Sequence, residues 1–246
     1  MRTGIFKFES EFEYGNMTMS VTPSSFPANA SFPRIDTPSI LQPPRQRRAR
    51  ETEQALLGAG RELLATRDFA AVSVAQIAAA CQVSVGAFYG RFRDKMAYFE
   101  ALRALVMEET SASIDRYLAQ ERWEDVTTPV LLEKTARFMV LGTLANRGVM
   151  RASLRHASTR PEEWLPHRQN GEAIVERMVQ LLVPRLPLPA DIAELRVRFA
   201  MQAVFSVLVN AVLNDSGPLH LDDERLITEL SRLMAGYLDV RPAETA

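Results

Sequence analysis

The groups in this chain best suited to chemistry are cations, one aromatic hydroxyl and small polar side chains, gathered between Arg45 and Lys95. An arginine run, Arg45-Gln-Arg-Arg-Ala-Arg50, leads into the stretch Val72 to Phe99, VSVAQIAAACQVSVGAFYGRFRDKMAYF. Between Arg45 and Lys95 nine Lys/Arg stand against five Asp/Glu, a net of +4. Residues 96–246 carry 17 bases against 21 acids, so the near-neutral total hides an asymmetry. A basic first segment on an acidic second one points to a polyanion partner for the first alone. The chemistry expected here is therefore recognition of phosphates by charge, a role suited to Arg and Lys.

Other chemistries leave no trace in the residue pattern. The chain has no nucleophile elbow, P-loop, dinucleotide fingerprint or zinc motif. His156, His167 and His220 are scattered, without metal-ligand spacing, and Cys81 is the single cysteine. No metal, no cofactor and no disulfide framework is expected, and a reducing cytoplasm fits. Cys81 reads as a small buried residue rather than an oxidant sensor, since no cationic partner for its thiol is evident. A helical enzyme would need a convergent acid–base constellation beyond residue 99, and none is visible. A sequence-blind architectural DNA binder would need more positive charge and no large acidic segment.

The elements that must position these groups are short. Ser73 and Gln76 have the spacing of a capping box, and Val72 with Ile77 could close a hydrophobic staple over the same turn. A helix over about 73–80 follows, with Val74, Ile77 and Ala78 on one face. Cys81-Gln82-Val83 makes a break, and Ser84 caps a second helix to about Gly90. Val83, Phe88 and Phe92 would pack inward, leaving Ser84, Val85, Gly86, Ala87 and Tyr89 exposed or at the leading end. A first helix as brace and a second with small residues at its tip is the arrangement of a helix-turn-helix. Beside such a motif, Arg45, Arg47, Arg48 and Arg50 are better read as phosphate contacts than as a solvated charge run.

Phe69, Val72, Ser73, Val74, Ile77, Ala78, Val83, Ser84, Gly86, Phe88, Tyr89, Phe92 and Lys95 together resemble the tetracycline-repressor (TetR) type of bacterial regulator. The motif-level resemblance covers about 47–110; the rest agrees in length and helical layout only. Asp68 stands where Gly is common, Cys81-Gln82 replaces Ala-Gly, and Arg91 replaces a frequent His. Gln82 in a left-handed turn would cost about 1 kcal/mol relative to Gly. The resemblance implies that Tyr89 and Lys95 touch phosphates, and that Ser84, Val85, Gly86 and Ala87 form the base-facing edge; Ser73 is placed with them at the DNA side. That edge has few long donors, so apolar contacts to thymine methyls and shape readout are expected. The resemblance also implies an apolar effector pocket. Phe99, Phe138, Met139, His156, Trp164, Met178, Met201 and Phe205 are its candidate lining, and by composition alone they are equally well core residues. His156 with Arg151 and Arg155 could hold an anionic group or simply be solvated helix charges.

Residues 1–44 hold six of the fourteen prolines and five phenylalanines without periodicity, and read as a disordered tail. Glu9, Glu11 and Glu13 sit where a signal peptide would need an apolar run. Met17 or Met19 could also serve as the start. Beyond the arginine run the periodicity predicts helices over about 48–66, 73–80, 84–90, 94–121, 129–146, 148–158, 161–183, 189–214 and 222–238, with no strand. Asp94 and Asp222 are expected caps, Thr128-Pro129 opens one helix, and Gly148 is expected to break another. Phe199 to Leu213 is apolar on almost every side, interrupted by Gln202, Ser206 and Asn210 on one stripe. It falls short of the roughly 20 residues a membrane span needs, so burial against its own core and a second subunit is expected. With the amphipathic last helix it could build a four-helix interface between two chains, through about 191–238; an internal antiparallel pair is the other reading.

The expectation is an all-α chain: a tail (1–44), a three-helix helix-turn-helix domain (45–98, motif about 72–91) and a larger helical effector-binding and dimerisation domain (99–246). It would act in the cytoplasm as a homodimeric regulator of double-stranded DNA, most simply a repressor released from a palindromic operator by a small molecule. An activator, or a regulator without an effector, is the alternative.

Overall fold

The computed structural model describes residues 44–158 and 160–240, all-α among these, with eight α-helices. They are α1 (Pro44–Thr66), α2 (Val74–Ala80), α3 (Val85–Tyr89), α4 (Lys95–Tyr117), α5 (Thr128–Ala157), α6 (Leu165–Leu182), α7 (Ala190–Asn214) and α8 (Glu224–Tyr237). Short 3-10 turns, Phe69–Ala71, Gln120–Trp123, Pro161–Trp164 and Val183–Arg185, join some of them. The tail expected over 1–44 lies outside the described residues except for Pro44, which opens α1.

Side-chain caps set several boundaries. Asp94 accepts a hydrogen bond from the Ala97 N–H at 2.8 Å and starts α4. The last helix is capped by Asp223 rather than the expected Asp222: its carboxylate accepts from the Arg225 N–H and also holds that residue's guanidinium. The α5 N-cap is Thr127, without a side-chain bond, so Thr128 and Pro129 are already inside the first turn.

The sequence pattern predicts nine helices, and the difference lies at Gly148. The segments expected over 129–146 and 148–158 are one helix of 30 residues. Gly148 costs that helix about 1 kcal/mol in propensity, but it is a contact point rather than a break. A Cβ there would overlap the Leu64 carbonyl group and stand 2.9 Å from the Ala65 nitrogen. The missing side chain lets α5 lie directly on the end of α1. Gly60 plays the same part for α4, because any Cβ would collide with the Tyr98 ring.

Buried apolar side chains form two clusters. The first joins Leu56, Leu64, Ile77, Phe88, Tyr98, Phe99 and Val106 from α1–α4 with Phe92 from the turn after α3, and it takes in Val149 and Ala152 of α5. The second runs from Ile114 through α5, α6, α7 and α8 to Leu238. α4 and α5 contribute to both, so these two long helices tie the motif to the remainder. α7 is long and apolar enough to cross a membrane by length and composition. Its face of Val197, Met201, Val204 and Leu208 is nevertheless part of the second cluster. Its other face leaves Ile192, Leu195, Phe199, Val207 and Leu213 exposed. The polar stripe is satisfied locally: Ser206 donates to the Gln202 carbonyl at 2.8 Å, and Asn214 donates to Asn210 at 2.8 Å.

Candidate functional site

The expected capping box is complete. The Ser73 hydroxyl accepts from the Gln76 N–H at 3.2 Å, and the Gln76 side chain accepts from the Ser73 N–H at 2.8 Å. Val72 and Ile77 are both buried in the first cluster, as a staple requires. At the turn, Gln82 adopts φ 58, the left-handed conformation expected of it. The Ser84 hydroxyl then accepts from the Ala87 N–H at 3.1 Å and starts α3.

α3 has only five residues, and its anchor is aromatic. Phe88 is fully buried and packs on Phe92 and Tyr98, with ring centroids 5.4 Å and 5.2 Å away. Tyr98 is fixed in turn by donating its hydroxyl to the Leu56 carbonyl at 2.8 Å, and burial pushes its phenol well above the usual value. The opposite edge faces outward: Ser84, Val85 and Gly86 are exposed, Ala87 is half-buried, and Tyr89 is 54% exposed with its ring edge-on to Phe88. This is an anchored rod with one small-residue edge and one projecting phenol. Such an edge can approach a groove wall closely and place a hydroxyl on its rim.

The arginine run occupies the first turns of α1. Arg45 lies in that helix, and its side chain is outside the described residues. Arg47, Arg48 and Arg50 are exposed, Arg47 pairing with Glu51 at 3.5 Å.

Lys95 is placed differently from Tyr89. Its Nζ donates to the Phe69 carbonyl at 2.6 Å and to the Ala70 carbonyl at 3.3 Å, and it lies 4.4 Å from the centre of the Phe69 ring. Partial burial lowers its pKa. Two of its three donors thus tie the turn after α1 to the start of α4, a structural bond that residue spacing alone does not disclose.

A second cationic set lies on α5, and sequence reasoning gave it little weight. Arg147 donates to the Ala65 carbonyl at 3.0 Å; Arg151 donates to the Leu64 and Arg67 carbonyls, both at 3.2 Å. These bonds satisfy carbonyls at the C-terminal end of α1, where positive charge also complements the helix dipole. Asp68 receives Arg155 at 2.6 Å and Arg151 at 3.4 Å, and the Arg155 bond holds its carboxyl below the usual range. The i, i+4 recurrence of Arg147, Arg151 and Arg155 on one helix face is the signal that could have located this clamp.

The candidate effector residues divide between the two clusters. Phe99 and His156 meet, ring centroids 5.5 Å apart, with Phe69 against both. Met139, Met178 and Met201 are buried in the second cluster, and Phe138 and Phe205 pack on it. Phe138 stacks on Tyr117 at 4.3 Å, and Trp164 stacks on His167 at 4.3 Å. Among the described residues no group of three or more His, Cys, Asp or Glu is placed to hold a metal ion.

No curated protein matches the chain in sequence. Solved structures do match in fold. A TetR-family transcriptional regulator from Mesorhizobium loti MAFF303099 has a TM-score of 0.62 at 15% identity, over 78% of this chain and 98% of its own. One from Streptomyces coelicolor has a TM-score of 0.57 at 17% identity, over 76% of this chain and 79% of its own. Salmonella enterica GusR has a TM-score of 0.53 at 17% identity, over 77% and 96%. Residues 56–102, the segment holding the capped motif and the Phe88–Tyr98 anchor, match the family described as bacterial regulatory proteins, tetR family. The chain therefore carries the characteristic N-terminal segment of the tetR family of bacterial regulatory proteins, within a fold shared with solved TetR-family regulators.

Proposed function

We propose that the protein is a cytoplasmic, homodimeric transcriptional regulator that binds a palindromic operator and is released from it by a small molecule. The observation that carries the reading is the α3 edge: Ser84, Val85, Gly86 and Tyr89 exposed on a helix whose other side is pinned by Phe88. Residues 45–98 serve as the DNA-binding domain, with Tyr89 and the arginines of α1 on phosphates and Val85 and Ala87 facing base edges. Residues 99–246 serve as the dimerisation and effector domain.

The exposed apolar residues of α7 and α8 support the dimer. Phe199 and Tyr237 form an exposed aromatic pair, ring centroids 5.3 Å apart, that bridges the two helices. Leu195, 66% exposed, and Leu233 flank them. A contiguous apolar patch of this kind marks an interaction surface, and helix-turn-helix readers pair two half-sites one helical turn apart. Two α7–α8 pairs would bury the patch as a four-helix interface.

An operator-binding assay on DNA from around its own gene, followed by a ligand screen for release, tests the reading. Sequence-specific binding weakened by a ligand, with transcription rising on release, supports a repressor. Transcription that falls on release identifies an activator instead. Binding no stronger to any sequence than to random DNA overturns the proposal.

A further inference from the structure

The clamp between α1 and α5 borders a crevice of about 400 Å³, within the usual range for small-molecule sites. One wall is the turn after α1, with Asp68, Phe69 and Ala70; the other is the last turns of α5, with Ala152, Arg155 and His156. Met96 and Lys95, in the first turn of α4, also line it. The crevice thus touches the turn leading into the recognition motif, the start of α4, and the helix that enters both apolar clusters.

Its chemistry is of two kinds. The Phe69 ring, the Met96 thioether and the Ala152 methyl give an apolar, polarizable surface suited to a flat ring. Around it stand three cationic side chains, Lys95, Arg151 and Arg155, against a single carboxylate, Asp68. Lys95 and Arg151 are largely committed to backbone carbonyls, whereas the Arg155 guanidinium bonds Asp68 from a half-exposed position. A planar guanidinium has five donors, more than one carboxylate uses, and a second carboxylate is its natural further partner.

We propose that this crevice binds a small aromatic carboxylate, with the ring among Met96, Ala152 and Phe69 and the carboxylate on Arg155. The site lies away from the buried methionines and aromatics of the second cluster. It deepens the effector part of the function proposed above, resting on it for its consequence and not for the binding itself. An occupant would touch both the turn before α2 and the end of α5, and so would bear on how the recognition helix is held.

Calorimetric titration of the full-length, DNA-free protein with 1-naphthoate tests the site directly, with neutral 1-naphthalenemethanol as the charge control. Saturable binding is expected, weakened about tenfold or more by Arg155→Gln and by the neutral probe, since a charge-assisted bond is lost in each case. Ala70→Trp places bulk at an exposed position on the mouth and is expected to abolish binding. Circular dichroism checks that each variant is folded; if Ala70→Trp is not, Arg155→Gln and the neutral probe decide. No saturable binding at millimolar probe, or binding that Arg155→Gln and loss of the charge leave unchanged, overturns the proposal. Binding as expected without any effect on operator affinity supports the site and overturns only its regulatory use. Failure to find an operator bears on the proposed function and leaves the titration decisive for the crevice.

Discussion

Gly148 of α5 and Leu64 of α1 are in backbone contact: a Cβ on Gly148 would occupy the space of the Leu64 carbonyl group. Gly142, six residues earlier on the same helix, has nothing within 4 Å of the corresponding point. The pair makes a controlled experiment. Gly148→Ala should push α5 from α1 and destabilise the protein by about 1–3 kcal/mol, the usual cost of overpacking. Gly142→Ala should stabilise it by about 0.5–1 kcal/mol through helix propensity and unfolded-chain entropy. Urea denaturation of both variants measures this. Equal effects would mean that the α1–α5 contact is not close.

The same glycine shows where sequence reading reached and where it stopped. Helix N-termini were legible at Ser73, Ser84 and Asp94, because a capping residue bonds to the chain two or three positions away. The inward set of Phe88 and Phe92 was legible for the same reason, whereas the left-handed turn at Gln82 followed from the family resemblance, in which a Gly usually stands there. Gly148 was misread because its purpose is a contact with Leu64, 84 positions earlier, which no local pattern encodes. Likewise, the Arg147, Arg151 and Arg155 face looks like ordinary solvated charge until α1 ends beside it. Long-range partners decide these residues, and a single sequence does not name them.

Lys95 and Tyr89 should separate stability from recognition. Lys95→Ala removes charge-assisted bonds to the Phe69 and Ala70 carbonyls, so stability should fall by about 1.5–3 kcal/mol. Tyr89→Phe removes an exposed hydroxyl and should leave stability within about 0.5 kcal/mol while weakening binding to all DNA sequences. If Lys95 also reaches a phosphate with its remaining donor, the log–log salt slope of its alanine variant should flatten by about 0.9 per contact. Denaturation and salt-dependent anisotropy on the two variants check both effects. A Lys95→Ala protein of unchanged stability would mean that its carbonyl bonds contribute nothing.

The α7 helix has an outer and an inner face, and the two should respond differently to a charge. Phe199 is 51% exposed and Leu208 is 1% exposed. Phe199→Asp should yield a folded monomer, because it puts charge only into the proposed subunit interface. Leu208→Asp should unfold the chain, since an unpaired buried charge costs several kcal/mol. Sedimentation and circular dichroism distinguish the outcomes. A wild-type protein that stays monomeric at micromolar concentration would remove the interface.

His167 provides the pH dependence with the clearest sign. Its ring stacks on Trp164, and its Nε2 is buried without a hydrogen-bond partner among the described residues. Burial, with a smaller contribution from Arg103, lowers its pKa from 6.5 to about 4. Between those values the unfolded chain binds a proton that the folded chain does not, so stability falls as pH drops from about 6.5 towards about 4. The loss is then complete, and further acidification adds nothing from this group. From pH 7.5 to pH 5, His167 should contribute a loss of about 1–2 kcal/mol, at 1.36 kcal/mol for each unit of full linkage. Carboxylates also titrate over part of this range, so the comparison must be with a variant. His167→Phe keeps a ring to stack on Trp164 and removes the titration. Its urea midpoint, at fixed protein concentration, should therefore fall less than that of the wild type between pH 7.5 and pH 5. Parallel losses in the two proteins would show that His167 titrates alike folded and unfolded, and that its ring is wetter than the stacking geometry implies.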